Sequence, residues 1–232
     1  MKKLLFILLL VSNYSWGQIS INNLSIVSTD ANATSFSRGP TTFTANKLYL
    51  WVTMTTGTTN PGTVTSTTLT WDNVISTGNS TRRISVWRCL PTSTATGETV
   101  TLGTFGGGST GYSEFLIEVT GMQLGANGAN AIIQAVSGGA TGADPSITMA
   151  TLSQRNAVIA AFFNDANPFG GAAESGWSEV WDSGYTPPTS GVYDMQRINT
   201  SDNTPTVTSA SSTWIGIAIE LRQDGRRVTL IN

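Results

Sequence analysis

Leu48-Tyr49-Leu50-Trp51-Val52-Thr53-Met54 is an apolar run of strand-favouring residues, and the chain returns to its context once. The first copy has Asn46, this run, Trp71-Asp72-Asn73-Val74, Arg88, a Val100-Thr101 pair and Phe115-Leu116-Ile117-Glu118-Val119. The second has Asn156, an apolar run at 158–163, Trp177-Ser178-Glu179-Val180, Arg197, a Val207-Thr208 pair and Ile217-Ala218-Ile219-Glu220-Leu221. The order is the same, so residues 46–121 and 156–221 read as a weak internal repeat. A period above a hundred residues is too long for a solenoid unit. The copies are two halves of one sandwich or two successive small domains. No linker separates them, which favours one sandwich over residues 18–232. Equivalence would place Trp71 with Trp177, Arg88 with Arg197 and Glu118 with Glu220.

Outward from these runs the chain reads as β throughout. Thr, Val and Ile are frequent, and their branched side chains favour strands. Gly, Asn, Pro and Ser punctuate the sequence at short intervals, the pattern of a sandwich or barrel. Strands are expected near 19–27, 48–54, 67–71, 83–90, 99–102, 115–120, 132–136, 158–163, 177–181, 192–198, 206–208 and 214–221. Gly106-Gly107-Gly108, 138–142, 164–171 and 185–191 read as loops. The expected fold is an antiparallel β-sandwich, jelly-roll-like, with two pseudo-symmetric halves.

The segment Leu69-Thr70-Trp71-Asp72-Asn73-Val74, the arginine-bearing strand at 83–90 and Trp214-Ile215-Gly216-Ile217-Ala218-Ile219-Glu220-Leu221 resemble a loosely defined group of β-sandwich domains. These occur in secreted bacterial proteins and phage structural proteins. The resemblance spans most of the chain beyond residue 17. It implies a jelly-roll sandwich and no assigned activity.

The N-terminus indicates export. Lys2 and Lys3 precede the apolar run Leu4 to Val11, followed by Ser15-Trp16-Gly17, the three parts of a secretory signal peptide. The run is far shorter than the ~20 residues that span a bilayer. Residues 1–17 are therefore expected to be removed, leaving a mature secreted chain with no membrane insertion. Cys89 is the single cysteine, so no internal disulfide can form, and it is expected to be buried. The net charge is −2 with few charged side chains, unlike the basic footprint of a nucleic-acid binder.

The absence of histidine excludes Ser-His-Asp and Cys-His catalysis and histidine metal sites. No phosphate-binding glycine motif opens a helix. Paired carboxylates remain, but Glu114 and Glu118 on one strand face would stand roughly 13 Å apart, beyond glycosidase separations. Glu179 and Asp182 would point to opposite faces of a regular strand. The chain is read as a non-enzyme, and a glycoside hydrolase that pairs carboxylates from different strands stays as the lesser alternative. Asp165, Asn167, Asp182 and Asp194 could offer oxygens to calcium; the favoured reading is that such residues shape turns, with no cofactor.

Aromatic residues give the leading functional expectation. In a regular strand Trp177, Glu179 and Trp181 share one face, close to the loop Tyr185-Thr186-Pro187-Pro188. Trp177, Glu179, Trp181, Asp182 and Tyr185 are accordingly the candidate ligand-binding residues, for a glycan or cell-surface polymer stacked on exposed rings. The alternative is a structural or assembly protein, such as a fibre, coat or virion component, which predicts a homo-oligomer joined through an apolar or strand-edge interface. Arg88 and Arg197, inside apolar strands, are expected to pair with Glu118 or Glu220.

Overall fold

A computed structural model describes residues 18–29, 33–57, 62–80, 82–103, 111–153, 155–164, 169, 173–183, 191–198 and 201–225. The residues expected to form the signal peptide, and the Gly106 and Tyr185 loops, lie outside these. The strands are β1 (Ser20–Thr29), β2 (Phe36–Phe43), β3 (Leu48–Thr56), β4 (Thr63–Thr65), β5 (Asp72–Gly78), β6 (Arg82–Cys89), β7 (Ala95–Gly103), β8 (Tyr112–Thr120), β9 (Ile132–Gly142), β10 (Ala157–Asn164), β11 (Ser178–Ser183), β12 (Gly191–Ile198) and β13 (Ser212–Leu221). A 3₁₀ turn at Ala126–Ala131 joins β8 to β9. The fold is all-β and antiparallel, with sheets packed as a sandwich. Residues 67–71 precede a strand instead of forming one, and the 206–208 segment contributes a single bridging pair, Ser146 with Thr206.

Two five-stranded sheets carry the same topology. The first, sheet A, has the order β1-β8-β3-β6-β5; the second, sheet B, has β9-β13-β10-β12-β11. Each strand of one has a counterpart in the other. A third sheet, β2-β7-β4, covers sheet A. Its counterpart over sheet B is a thin antiparallel pair, in which Val207 N–H bonds Pro145 O (3.0 Å) and Met149 N–H bonds Asn203 O (2.8 Å).

Strand alternation distributes the core. Leu48, Leu50, Val52 and Met54 on β3, with Phe115, Ile117 and Val119 on β8, meet Ile159, Ala161 and Phe163 on β10 and Ile215, Ile217 and Ile219 on β13 in one inter-sheet core. The other face of sheet A carries Tyr49, Trp51, Trp87 and Leu116, closed by Phe36, Phe43, Val100 and Leu102 from the third sheet. The outer face of sheet B carries Val158, Phe162, Tyr193 and Trp214, closed by Ile147, Met149, Phe169 and Val207. Central strands β3 and β10 are thus buried along their whole length. This explains their unbroken apolar runs, which are the mark of strands covered on both faces.

The halves pack like the protomers of a twofold dimer, in which one patch meets its own copy. Edge strand β5 lies against β9, and its counterpart β11 lies against β1, the counterpart of β9. Where the chain leaves each sheet, Gly121-Met122-Gln123 runs antiparallel to Arg222-Gln223-Asp224. Gln123 N–H donates to Arg222 O (3.0 Å) and Asp224 N–H to Gly121 O (2.9 Å).

The registers define residue equivalence. Tyr49 stands opposite Glu118 as Val158 stands opposite Glu220, so Leu48 corresponds to Ala157. Lys47 then corresponds to Asn156, and their contacts agree: Lys47 Nζ bonds Glu118 (2.8 Å) and Asn156 Nδ2 bonds Glu220 (2.6 Å). The sequence motif matches Asn46 instead, one residue off. Leu50 pairs with Arg88 and Ile159 with Gln196, so Arg88 corresponds to Gln196 and not to Arg197. Neither arginine pairs with Glu118 or Glu220. Arg88 bonds Asp72 (3.2 Å) and Arg197 bonds Asp202 (2.8 Å).

Candidate functional site

Trp71 and Trp177 immediately precede β5 and β11, and both strands are bulged at the same place. Asn73 opposes Trp87 and Ile75 opposes Val86, leaving Val74 unmatched; Glu179 opposes Met195 and Trp181 opposes Asp194, leaving Val180 unmatched. An inserted residue reverses the alternation beyond it. Trp177 therefore packs in the outer cluster of sheet B, whereas Trp181 turns to the inter-sheet core. The common aromatic face expected for Trp177 and Trp181 does not form. Trp177 is only 7 % exposed. Its indole donates to Asp202 (3.0 Å), and the Arg197 guanidinium lies 5.8 Å from its ring. Burial disfavours the Asp202 carboxylate, but the Thr204 N–H, the indole and Arg197 together lower its pKa. Trp177 is thus a structural residue, and Tyr185 lies outside the described residues.

The same bulge brings Glu179 and Asp182 to one face, contrary to the regular-strand expectation. Both register against outer-face residues of β12, Glu179 against Met195 and Asp182 against Tyr193. Their counterparts in sheet A are Asn73 and Ser76, with Ser85 in place of Tyr193. There the polar groups satisfy one another: Asn73 Nδ2 donates to Ser76 Oγ (2.9 Å), which donates to Ser85 Oγ (2.9 Å). In sheet B the three positions hold two acids and a phenol. Glu179 is exposed, Asp182 half-buried and Tyr193 fully buried, with the Phe169 ring tilted against the Tyr193 ring at 5.9 Å between centroids. Among the described residues, Asp182 Oδ1 and Tyr193 Oη are buried without a hydrogen-bond partner.

Asp194, next to Tyr193 in sequence, points the other way. It occupies the place of Val86 in sheet A, with no exposed surface, and neither carboxylate oxygen has a partner among the described residues. Burial raises its pKa well above the ordinary aspartate value, and Asp182 adds to the rise. Burial and then the Glu179 charge raise Asp182. Burial, followed by Glu179, Asp182 and Asp194, pushes the Tyr193 phenol up to about 12. Residues 179, 182, 193 and 194 thus form one electrostatic unit with no internal counter-charge. Sequence reasoning named Glu179 and Asp182 but missed Tyr193, whose signal was the Ser85-to-Tyr difference between repeats.

The other carboxylates are engaged in structure. Glu114 accepts hydrogen bonds from Arg38, Trp51 and Tyr112, and Glu118 from Lys47 and Tyr49. Burial, with help from Glu114, raises Tyr112 well above its ordinary value. Cys89 is buried, its thiol pushed up to about 12 by burial and then by Asp72 and Glu98. Of the calcium candidates, Asp165 and Asn167 lie outside the described residues, and Asp182 and Asp194 lie in strands, not in turns. Among the described residues no cluster of three His, Cys, Asp or Glu is placed to hold a metal ion, and no helix is long and apolar enough to cross a membrane. No protein-family model matches the chain, and no curated protein or solved structure matches it.

Proposed function

We propose that the chain is an exported, non-catalytic binding module that takes a hydroxyl-rich ligand, a glycan or cell-surface polymer, at the β11–β12 flank. One observation carries this reading. The positions that satisfy one another as Asn73, Ser76 and Ser85 in sheet A hold Glu179, Asp182 and Tyr193 in sheet B, with buried oxygens left unpartnered among the described residues. Native interiors pair such groups, so the site calls for a ligand rich in hydrogen-bond donors. Neighbouring carboxylates accept well from adjacent hydroxyls, and charge assistance strengthens those bonds. Recognition then comes from acids instead of from stacking on Trp177 and Trp181. The basic start, the short apolar run and the Ser15-Trp16-Gly17 exit support export.

The experiment is binding of the chain lacking residues 1–17 to a glycan and polysaccharide array. Specific binding that Glu179→Gln weakens at least tenfold, with the unfolding midpoint unchanged, supports the proposal. Glu179 is exposed, so its loss does not disturb the core. An array with no specific binder, or binding indifferent to Glu179, overturns it.

A second reading, assembly, rests on a different observation. The edge strands β1 and β9 are ten and eleven residues long and contain no charge and no proline. They expose Val27 and Ile133. Soluble proteins usually blunt long edges with charged residues or proline. Under this reading sedimentation shows a homo-oligomer, and Val27→Lys together with Ile133→Lys returns it to monomer.

A further inference from the structure

We propose that the β11–β12 site selects a glycan with free amino groups, a de-N-acetylated amino-sugar polymer, whose ammonium sits between Glu179 and Asp182. This inference rests on the ligand site proposed above and narrows the class of its ligand. Its basis is the distribution of charge. Between Arg155 and Arg197 the sequence carries Asp165, Glu174, Glu179, Asp182 and Asp194, and no lysine or arginine. Residues 46–121, the other copy of the repeat, carry as many bases as acids. Around sheet A the acids meet cations: Glu114 meets Arg38, Glu118 meets Lys47 and Asp72 meets Arg88.

The two arginines that bracket the acidic stretch do not neutralise the site. Arg197 shares the outer face of β12, but its guanidinium is bound to Asp202 (2.8 Å) and lies over the Trp177 ring. Arg155 precedes β10 and stands seven residues, about 23 Å, from Phe162, the strand neighbour of Tyr193. Glu179 and Asp182 register against Met195 and Tyr193, two residues and so about 7 Å apart on β12. Charge-assisted bonds of about 2.8 Å from one ammonium to each carboxylate nearly close that gap. Beside it, Asp182 Oδ1 and the hydroxyl of Tyr193, a residue 0 % exposed, have no hydrogen-bond partner among the described residues. An amino sugar carries an ammonium next to a ring hydroxyl, and so offers a cation to the acids and a hydroxyl to the phenol. A neutral sugar covers the carboxylates without compensating their charge, which is costly. An ammonium needs only three acceptors, whereas calcium takes six to eight oxygens, and the described residues hold no cluster of three metal-ligating side chains.

The test is calorimetric titration of the protein with glucosamine oligosaccharides, their N-acetylated counterparts and oligolysine. The free-amine oligosaccharide should bind about tenfold more tightly than either of the others, and its affinity should fall as salt is raised. Asp182→Asn and, separately, Glu179→Gln should erase the preference for the free amine while the unfolding midpoint holds. Equal binding of the N-acetylated form overturns the amine preference and leaves the hydroxyl-rich ligand of the preceding section standing. Equal binding of oligolysine overturns it by making charge alone sufficient, and so does a preference that survives in both variants. Silence from every oligosaccharide sinks this inference and the ligand site together.

Discussion

Sheet A and sheet B are built to one plan, with the same strand order and the same bulge at the same valine, and each pairs one acid at its end, Glu118 and Glu220, yet they differ in the acid buried at their middle. In sheet A the buried Glu114 is surrounded by Arg38, Trp51 and Tyr112, and each oxygen is used. Its counterpart in sheet B is Gly216, pressed against Phe162 and Ile147 with no room for a side chain. Sheet B instead buries Asp194 where sheet A has Val86, and leaves it without a partner among the described residues. A paired buried acid is costly to remove because its partners are stranded. An unpaired one is costly to keep. The difference separates an acid that holds the fold from acids that the fold tolerates, and tolerance of cost is where function is to be sought.

The largest predicted effect lies on the structural side. Glu114→Ala should destabilise the protein by about 3–5 kcal/mol, read as a lowered urea midpoint, because Arg38, the Trp51 indole and Tyr112 lose their acceptor. A change below 1 kcal/mol would remove the contrast. Next, Asp194→Val installs the residue of sheet A and should stabilise at neutral pH by about 1–3 kcal/mol. The comparison is sharpened by Glu179→Asn with Asp182→Ser, which copies the sheet A positions. Glycan binding should be lost while the unfolding midpoint holds or rises; retained binding would detach function from the asymmetry. The smallest effect should come from Lys47→Asn, which gives sheet A the residue of sheet B. The Lys47 ammonium is one-third exposed, so the ion pair contributes at most about 1 kcal/mol.

Much of the plan was legible because burial on both faces writes itself into composition. The runs at β3 and β10 and the tryptophans before β5 and β11 marked corresponding places in both halves. Registers were not legible. A one-residue bulge at Val180 has no side-chain signature, yet it sends Trp181 inward and brings Glu179 and Asp182 to one face. Motif matching also misaligned Arg88 with Arg197 and Asn46 with Asn156, because loops of different length hide a one-residue slip that only strand pairing fixes. The third sheet escaped notice since β4 has only three residues and β2 carries Gly39 and Pro40 inside it. What made the site hard to see was Tyr193, an ordinary apolar-looking strand residue until its counterpart Ser85 is known.

The most direct measurement is the unfolding free energy of the wild type and Asp194→Val between pH 4 and pH 8. Burial raises the pKa of Asp194 above its unfolded value. The stability that its protonated form provides is therefore fully present below about pH 4 and is lost as pH rises toward the folded pKa. The wild-type curve should fall away from that of Asp194→Val with increasing pH, the gap growing to about 1–3 kcal/mol. Parallel curves would show that Asp194 has found a partner, and that it is held like Glu114.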